Sequence, residues 1–312
     1  MNRKRFDSHR EVSGMRVQGD CGILDRTMPS FSELLDHPLR PTPPPGPPGV
    51  VFEPPMTHDW TQGRGAFGGI QGAIAARAMR AAVGPALPLR ALQMTFVAAI
   101  PAGPTRAQAW VIREGRNITH VQCHLYAGDA VAGVLVGVYG ASRPSVAVLD
   151  MPMPDDLRPF DTLKEVEFST GRMPEFLRHY QQRWAGGARM FSASPPRPTR
   201  MWARLREAVP GLIDDQPAAR LGPELREASL VALADLPPSP VLSMLDRSAP
   251  GASLTWLLEF PVDPMQFDPA QWVLIQTDSR YAGEGYNSQT ARLWTQDGRA
   301  VGVSHQTTAI FG

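Results

Sequence analysis

The chain has 312 residues, 43% of them apolar, and a formal charge of +1, so it can bury the cores of two ordinary domains. Lys+Arg (31) and Asp+Glu (30) nearly balance, which gives no support for binding to nucleic acid or a membrane surface through bulk charge. Two cysteines are too few for a disulfide framework, and no apolar run approaches the ~18 residues that a membrane helix needs.

Residues 1–48 read as a leader, largely disordered or extended. The basic start Met1-Asn2-Arg3-Lys4-Arg5 is followed by no apolar stretch of the kind a secretory signal carries. With Cys21 and Cys123 both expected as free thiols, this fits a reducing cytoplasm. Ser30 can cap a short helix over 29–39 with Phe31, Leu34 and Leu35 on one face. The proline-rich run 41–48 is a stiff connector.

A first domain is expected over 49–150. It opens with a short strand at 50–53 and passes Trp60 and the glycine-rich Gly63-Arg64-Gly65-Ala66-Phe67-Gly68-Gly69-Ile70. A helix follows over 71–83, with Ile70, Ile74, Ala78 and Met79 at helical spacing, and Gly84-Pro85 stops it. Strands are predicted at 89–100, 105–113, 117–126 and 130–139, with Ala127-Gly128-Asp129 as a hairpin turn. Small side chains on the helix would let such a sheet wrap closely around it.

Residues 151–199 read as a linker region, with an edge strand at 165–168 and a short helix at 174–184. A second domain is expected over 200–312. It has a strand at 201–206 and a helix at 217–236, whose Leu221, Leu225, Ala228, Leu230 and Ala232 are apolar; Pro237-Pro238 ends it. Strands follow at 252–260, 272–281, 287–294 and 300–310, the last hairpin turning at Gln296-Asp297-Gly298.

The two domains repeat. Residues 93–101 match 253–261 at an offset of 160, with Thr95 against Thr255, Phe96 against Trp256 and Pro101 against Pro261. Glu114-Gly115-Arg116-Asn117 is answered by Glu284-Gly285-Tyr286-Asn287, Leu125-Tyr126 by Leu293-Trp294, and Tyr139-Gly140 by Phe311-Gly312. One ancestral unit used twice explains the order. The fold class is α+β, each unit a long helix with an antiparallel sheet.

Trp60 with Gly65-Ala66-Phe67-Gly68-Gly69, then Leu233-Ala234-Asp235, Ala252-Ser253-Leu254-Thr255, Asp297-Gly298-Arg299 and Ser304-His305-Gln306 together resemble the acyl-CoA thioesterase II (TesB-like) family. The likeness spans 50–312, with residues 150–200 poorly covered. It implies a double hotdog with continuous sheets, and hydrolysis of a fatty or related acyl-CoA to free acid and CoA. It implies no cofactor, and further pairing into homodimers or larger homo-oligomers. By position it puts an Asp, a hydroxyl and an amide that together hold a water on Asp235, Ser253 and Gln306. Thr255, two residues on, competes for the hydroxyl role.

Thioester hydrolysis needs a positioned water, a base for its proton and donors for the carbonyl oxygen. Asp235 follows an apolar helical run, where burial would raise its pKa; the other reading is that it only terminates the helix. Gln306 can orient a water without titrating, or be a solvated strand residue. An acyl-serine route through Ser253 would need an adjacent base, and no Gly-x-Ser-x-Gly elbow is present.

Oxyanion donors are expected from the backbone of Phe67, Gly68 and Gly69 at the helix start, unless these glycines serve only the turn. No carboxylate lies between Phe67 and Val83, so the base must come from the other half. Arg113, Arg116, Arg143, Arg280 and Arg292 are open as CoA phosphate partners, and no metal-ligand spacing occurs. Two other readings remain: a non-catalytic acyl-CoA binder, and a hydratase, for which His58-Asp59 would be the nearest His/Asp pair.

Overall fold

The computed structural model describes residues 28–212 and 220–311. Expectations for residues 1–27, Cys21 among them, and for residues 217–219 of the second helix lie outside the described residues. In chain order the elements are α1 (Phe31–Leu35), β1 (Leu39–Pro41), β2 (Val50–Phe52), β3 (Pro55–Met56), β4 (Thr61–Gln62), β5 (Gly65–Ala66) and α2 (Gly68–Val83). Then come β6 (Leu89–Phe96), β7 (Gly103–Glu114), β8 (Ile118–Ala127), β9 (Ala130–Gly140), β10 (Tyr180–Gly186), β11 (Thr199–Leu205) and α3 (Pro223–Leu233). The chain closes with β12 (Gly251–Glu259), β13 (Val273–Gly283), β14 (Tyr286–Thr295) and β15 (Ala300–Ile310).

Local sequence explains the helix boundaries. Ser30 and Glu33 form a reciprocal capping box that starts α1. Phe67 precedes α2, and Gly84, at φ 78°, closes it. Pro223 occupies the first turn of α3, where its missing N–H costs nothing.

Thirteen strands form one antiparallel sheet in the order β1-β2-β7-β8-β9-β6-β12-β15-β14-β13-β11-β10, with β3 also on β7. The two halves join at β6 and β12, where Thr95 lies opposite Thr255, Met94 opposite Trp256 and Leu92 opposite Leu258. α2 and α3 pack on each other inside the curve of the sheet, and Ile70, Ile74, Ala78, Met79, Leu230 and Val231 are fully buried. This is the double hotdog with a continuous sheet. Close helix contact depends on missing side chains: a Cβ on Gly69 would stand 2.4 Å from the Ala232 carbonyl oxygen, and one on Gly72 2.8 Å from the Trp256 ring. Farther along, Arg80 of α2 forms a buried ion pair with Glu227 of α3, and Arg80 also donates to the Gly84 and Leu87 carbonyls at 2.9 and 2.7 Å. A buried pair so fully partnered avoids the cost of a lone internal charge.

Three expectations are corrected. The expected helix at 174–184 is a short 3-10 turn, Glu175–His179, followed by strand β10, because β11 supplies a partner edge. The expected strand at 165–168 makes only an isolated bridge, Glu165 to Arg183. Part of the expected leader, Leu39–Pro41, pairs with β2 as the sheet's outermost strand.

The internal match also shifts. A bulge interrupts β6 between Leu89 and Ala91, and the same bulge interrupts β12 between Ser253 and Thr255. Bulges between Val111 and Arg113 and between Leu125 and Tyr126 recur between Ser279 and Tyr281 and between Leu293 and Trp294. The bulges make Leu89 the counterpart of Ser253, 164 residues on, where the sequence match at 160 gave Gln93. Following the strand registers from those bulges, Gln306 answers to Gly137, Gln289 to Val121 and Asn287 to Thr119.

Candidate active site

The C-terminal end of α3 lies against the N-terminal end of α2, and Asp235 sits in that corner two residues beyond α3. Its Oδ1 accepts a 2.8 Å hydrogen bond from Gln306 Nε2 of β15, which also donates to Ser253 Oγ of β12 at 2.9 Å. The structure therefore brings Asp235, Ser253 and Gln306 together. The bulge at Leu254 turns Ser253 inward to the face that holds Gln306 and the buried Trp256. A second effect of that bulge is that Thr255 points outward. It is exposed and pairs with Thr95 and Thr307. The two hydroxyls thus lie on opposite faces, although residues two apart on a regular strand share one.

Burial raises the Asp235 carboxyl to about 7, against the lowering influence of the Gln306 hydrogen bond and the Gly69 backbone N–H. Its closeness to α2 rests on glycine: a Cβ on Gly68 would stand 2.5 Å from Asp235 Oδ2 and 3.2 Å from the Phe96 ring. Of the three amides expected as oxyanion donors, one is hydrogen-bonded and one faces the Asp235 carboxyl. Phe67 N–H donates to the Trp60 carbonyl at 2.9 Å, and Gly69 N–H is directed at Asp235. Gly68, the first residue of the helix, has no intrahelical acceptor for its N–H and makes no other backbone bond among the described residues. The positive end of the helix dipole adds to its pull on an anion.

Aromatic side chains fix the start of α2. Phe67 stacks on Phe176 with ring centroids 3.8 Å apart, and Trp60 stacks on His179 at 3.7 Å. His179 Nε2 stands 2.8 Å from Asp59 Oδ2; burial holds His179 below its ordinary range, so the neutral ring donates to the carboxylate. His58 is exposed and Asp59 is buried, so the two neighbours do not form the pair a hydratase would use. Among the described residues no cluster of His, Cys, Asp or Glu could hold a metal ion.

Sequence reasoning missed four residues. Phe176 and His179 lay in the segment with no readable periodicity. Gln289 of β14, whose amide donates to Gln306, and Asn287, whose amide donates to Gln289, read as ordinary polar strand positions.

Comparison with known proteins bears on the family and the fold. A family model described as the acyl-CoA thioesterase C-terminal domain matches residues 154–310, and one described as the N-terminal domain matches residues 56–140. No curated protein matches the chain in sequence. Among solved structures, a hot dog-fold protein of unknown function from Alicyclobacillus acidocaldarius is similar at TM-score 0.73. It is 21% identical, over 90% of this chain and 98% of that one. The acyl-CoA thioesterase II TesB2 of Mycobacterium marinum is similar at TM-score 0.67, with 17% identity over 91% and 99% of the chains. The tesB protein of Mycobacterium avium subs paratuberculosis gives TM-score 0.70, with 13% identity over 90% and 98%. At these identities the solved structures bear on the fold alone.

Proposed function

The chain belongs to the acyl-CoA thioesterase family and is a thioester hydrolase, and from that premise we propose that Asp235 is the base that activates water against an acyl-CoA. The observation that carries this reading is the Asp235 carboxyl itself: half-buried, raised to about 7, held by Gln306 and set against the start of α2. A base with a pKa near neutrality combines a large ionised fraction with real proton affinity.

In the proposed reaction the water oxygen bonds to the thioester carbon while its proton passes to Asp235. Gln306 gives its two N–H hydrogens to Asp235 and Ser253 and so fixes the carboxylate and the hydroxyl beside which the water is held. The carbonyl oxygen, negative in the tetrahedral intermediate, is received by the Gly68 N–H at the helix N-terminus. The C–S bond then breaks, the thiolate of CoA leaves, and the proton on Asp235 returns to sulfur. Products are the free acid and CoA. An acyl-CoA substrate supports a setting in fatty-acid metabolism, and a chain with two cysteines and no disulfide framework supports the cytoplasm as its place in this reading.

The test is thiol release from a panel of acyl-CoAs by wild type and Asp235→Asn. Turnover by wild type and its loss in the variant is the expected result. Binding without hydrolysis by wild type would make the chain a non-catalytic acyl-CoA binder, and intact turnover in Asp235→Asn would remove the base assignment.

A further inference from the structure

We infer that Gln289 and Asn287 are positioning residues that act on Asp235 through Gln306, fixing which end of the Gln306 amide meets the carboxylate. The inference rests on the reading of Asp235 as the base. Its foundation is a row of three carboxamides laid head to tail. Asn287 Nδ2 donates to Gln289 Oε1 at 3.1 Å, Gln289 Nε2 to Gln306 Oε1 at 2.8 Å, and Gln306 Nε2 to Asp235 Oδ1 at 2.8 Å. Asn287 is anchored in turn, its Nδ2 within 3.0 Å of Ser239 Oγ and 3.2 Å of Thr308 Oγ1.

A carboxamide is nearly symmetric in shape but opposite in chemistry at its two ends. Left alone, Gln306 could turn its oxygen toward Asp235, repelling the carboxylate and losing the N–H that reaches Ser253. The donor from Gln289 opposes that flip, because a reversed Gln306 would turn its own N–H groups on those of Gln289. An ionised carboxylate accepts only, so it favours the same direction of the Gln306 amide that the Gln289 donor enforces. Hydrogen bonds in such a chain also polarise one another.

The second observation is that the fold does not need these amides. Asn287 is fully buried and Gln289 nearly so, positions where polar side chains cost stability unless they are partnered. The first half fills the same places with Thr119 and Val121, and the place of Gln306 with Gly137. The row occurs only where it ends on Asp235.

The experiment uses the full chain with Gln289→Val and Asn287→Thr, the residues that the first half already accommodates. Gln306's hydrogen bond lowers the Asp235 pKa, so loosening it should raise that pKa further. For Gln289→Val the expected result is an unchanged KM, a kcat about tenfold lower at pH 7, and a kcat midpoint raised by about half to one pH unit. Asn287→Thr should move the same quantities the same way, by less, and it carries the test if Gln289→Val does not fold. A purely structural role would lower Tm without moving the midpoint. Wild-type kcat and midpoint in folded variants, with Asp235→Asn inactive, would overturn the positioning role alone. Turnover by Asp235→Asn would instead overturn the base assignment beneath it.

Discussion

The two halves place the same strands around the same kind of helix and differ in what they put on them. Where the first half has Leu89, Gly137, Val121 and Thr119, the second has Ser253, Gln306, Gln289 and Asn287. The helices differ in the opposite sense. α2 carries no carboxylate but starts with two glycines and an unengaged N–H, whereas α3 is followed by Asp235. A duplicated fold therefore carries the Ser253, Gln306, Gln289 and Asn287 cluster in one of two related places, and each half supplies what the other lacks. Because the helices run antiparallel, the donor end of one meets the acid beyond the end of the other. The differences between the copies are thus as structural as the likeness.

The largest test of that division is Asp235→Asn, expected to lower kcat by roughly 10²–10⁴-fold, the range for a lost general base, with KM little changed. In wild type, kcat should rise with pH through a midpoint near 7 as the Asp235 carboxyl ionises. Stability should move the other way. The carboxyl ionises near 3.8 in the unfolded chain and near 7 in the fold, so the native state holds the proton longer. Stability is then lost as pH rises between those values, by up to about 4 kcal/mol. Asp235→Asn should flatten that loss, read from denaturant midpoints at pH 5 and pH 8. A first-half site would appear as substantial turnover surviving in Asp235→Asn.

Next in size is Gly69→Ala, which tests whether α2 must approach α3 this closely. The added Cβ would stand 2.4 Å from the Ala232 backbone oxygen, which can retreat only if the end of α3 moves, carrying Asp235 with it. A loss of about 1–3 kcal/mol is expected, together with a fall in kcat. A stable variant with full turnover would show that the acid does not depend on the contact between halves.

Much of this architecture was legible in the sequence, because alternation in the strands and the glycine-rich helix reflect burial directly. The motifs that led to Asp235, Ser253 and Gln306 also led to three side chains that touch. The offset between the halves was read four residues short for a physical reason. A slip of four keeps every side chain on its own face of a strand, so Phe96 as the counterpart of Trp256 fits the pattern as well as Leu92 does. Only the bulges mark the register, and a bulge has no residue signature at Arg90 or Leu254. Strand β10 was missed because Tyr180-Gln181-Gln182-Arg183 alternates weakly and depends on β11 for its pairing. Gln289 was missed because an amide that orients another amide looks, in one dimension, like any polar strand residue.

The smallest expected effects separate the two hydroxyls on β12. Ser253→Ala removes one neutral hydrogen bond to Gln306, worth about 0.5–1.5 kcal/mol, so kcat should fall by about tenfold or less. Thr255→Val keeps the branched side chain that suits a strand and removes only an exposed hydroxyl on the outer face. Its effect on turnover should stay within about twofold, as for an ordinary surface substitution. The contrast depends on the bulge, which inserts Leu254 so that residues on either side of it face opposite ways. If Thr255→Val lost tenfold while Ser253→Ala lost nothing, β12 would have to run without its bulge. Thr255 would then stand on the inner face opposite Gln306, and Leu89 would no longer be the counterpart of Ser253. Two hydroxyl deletions, assayed by thiol release beside each other, therefore test the register on which the comparison of the two halves depends.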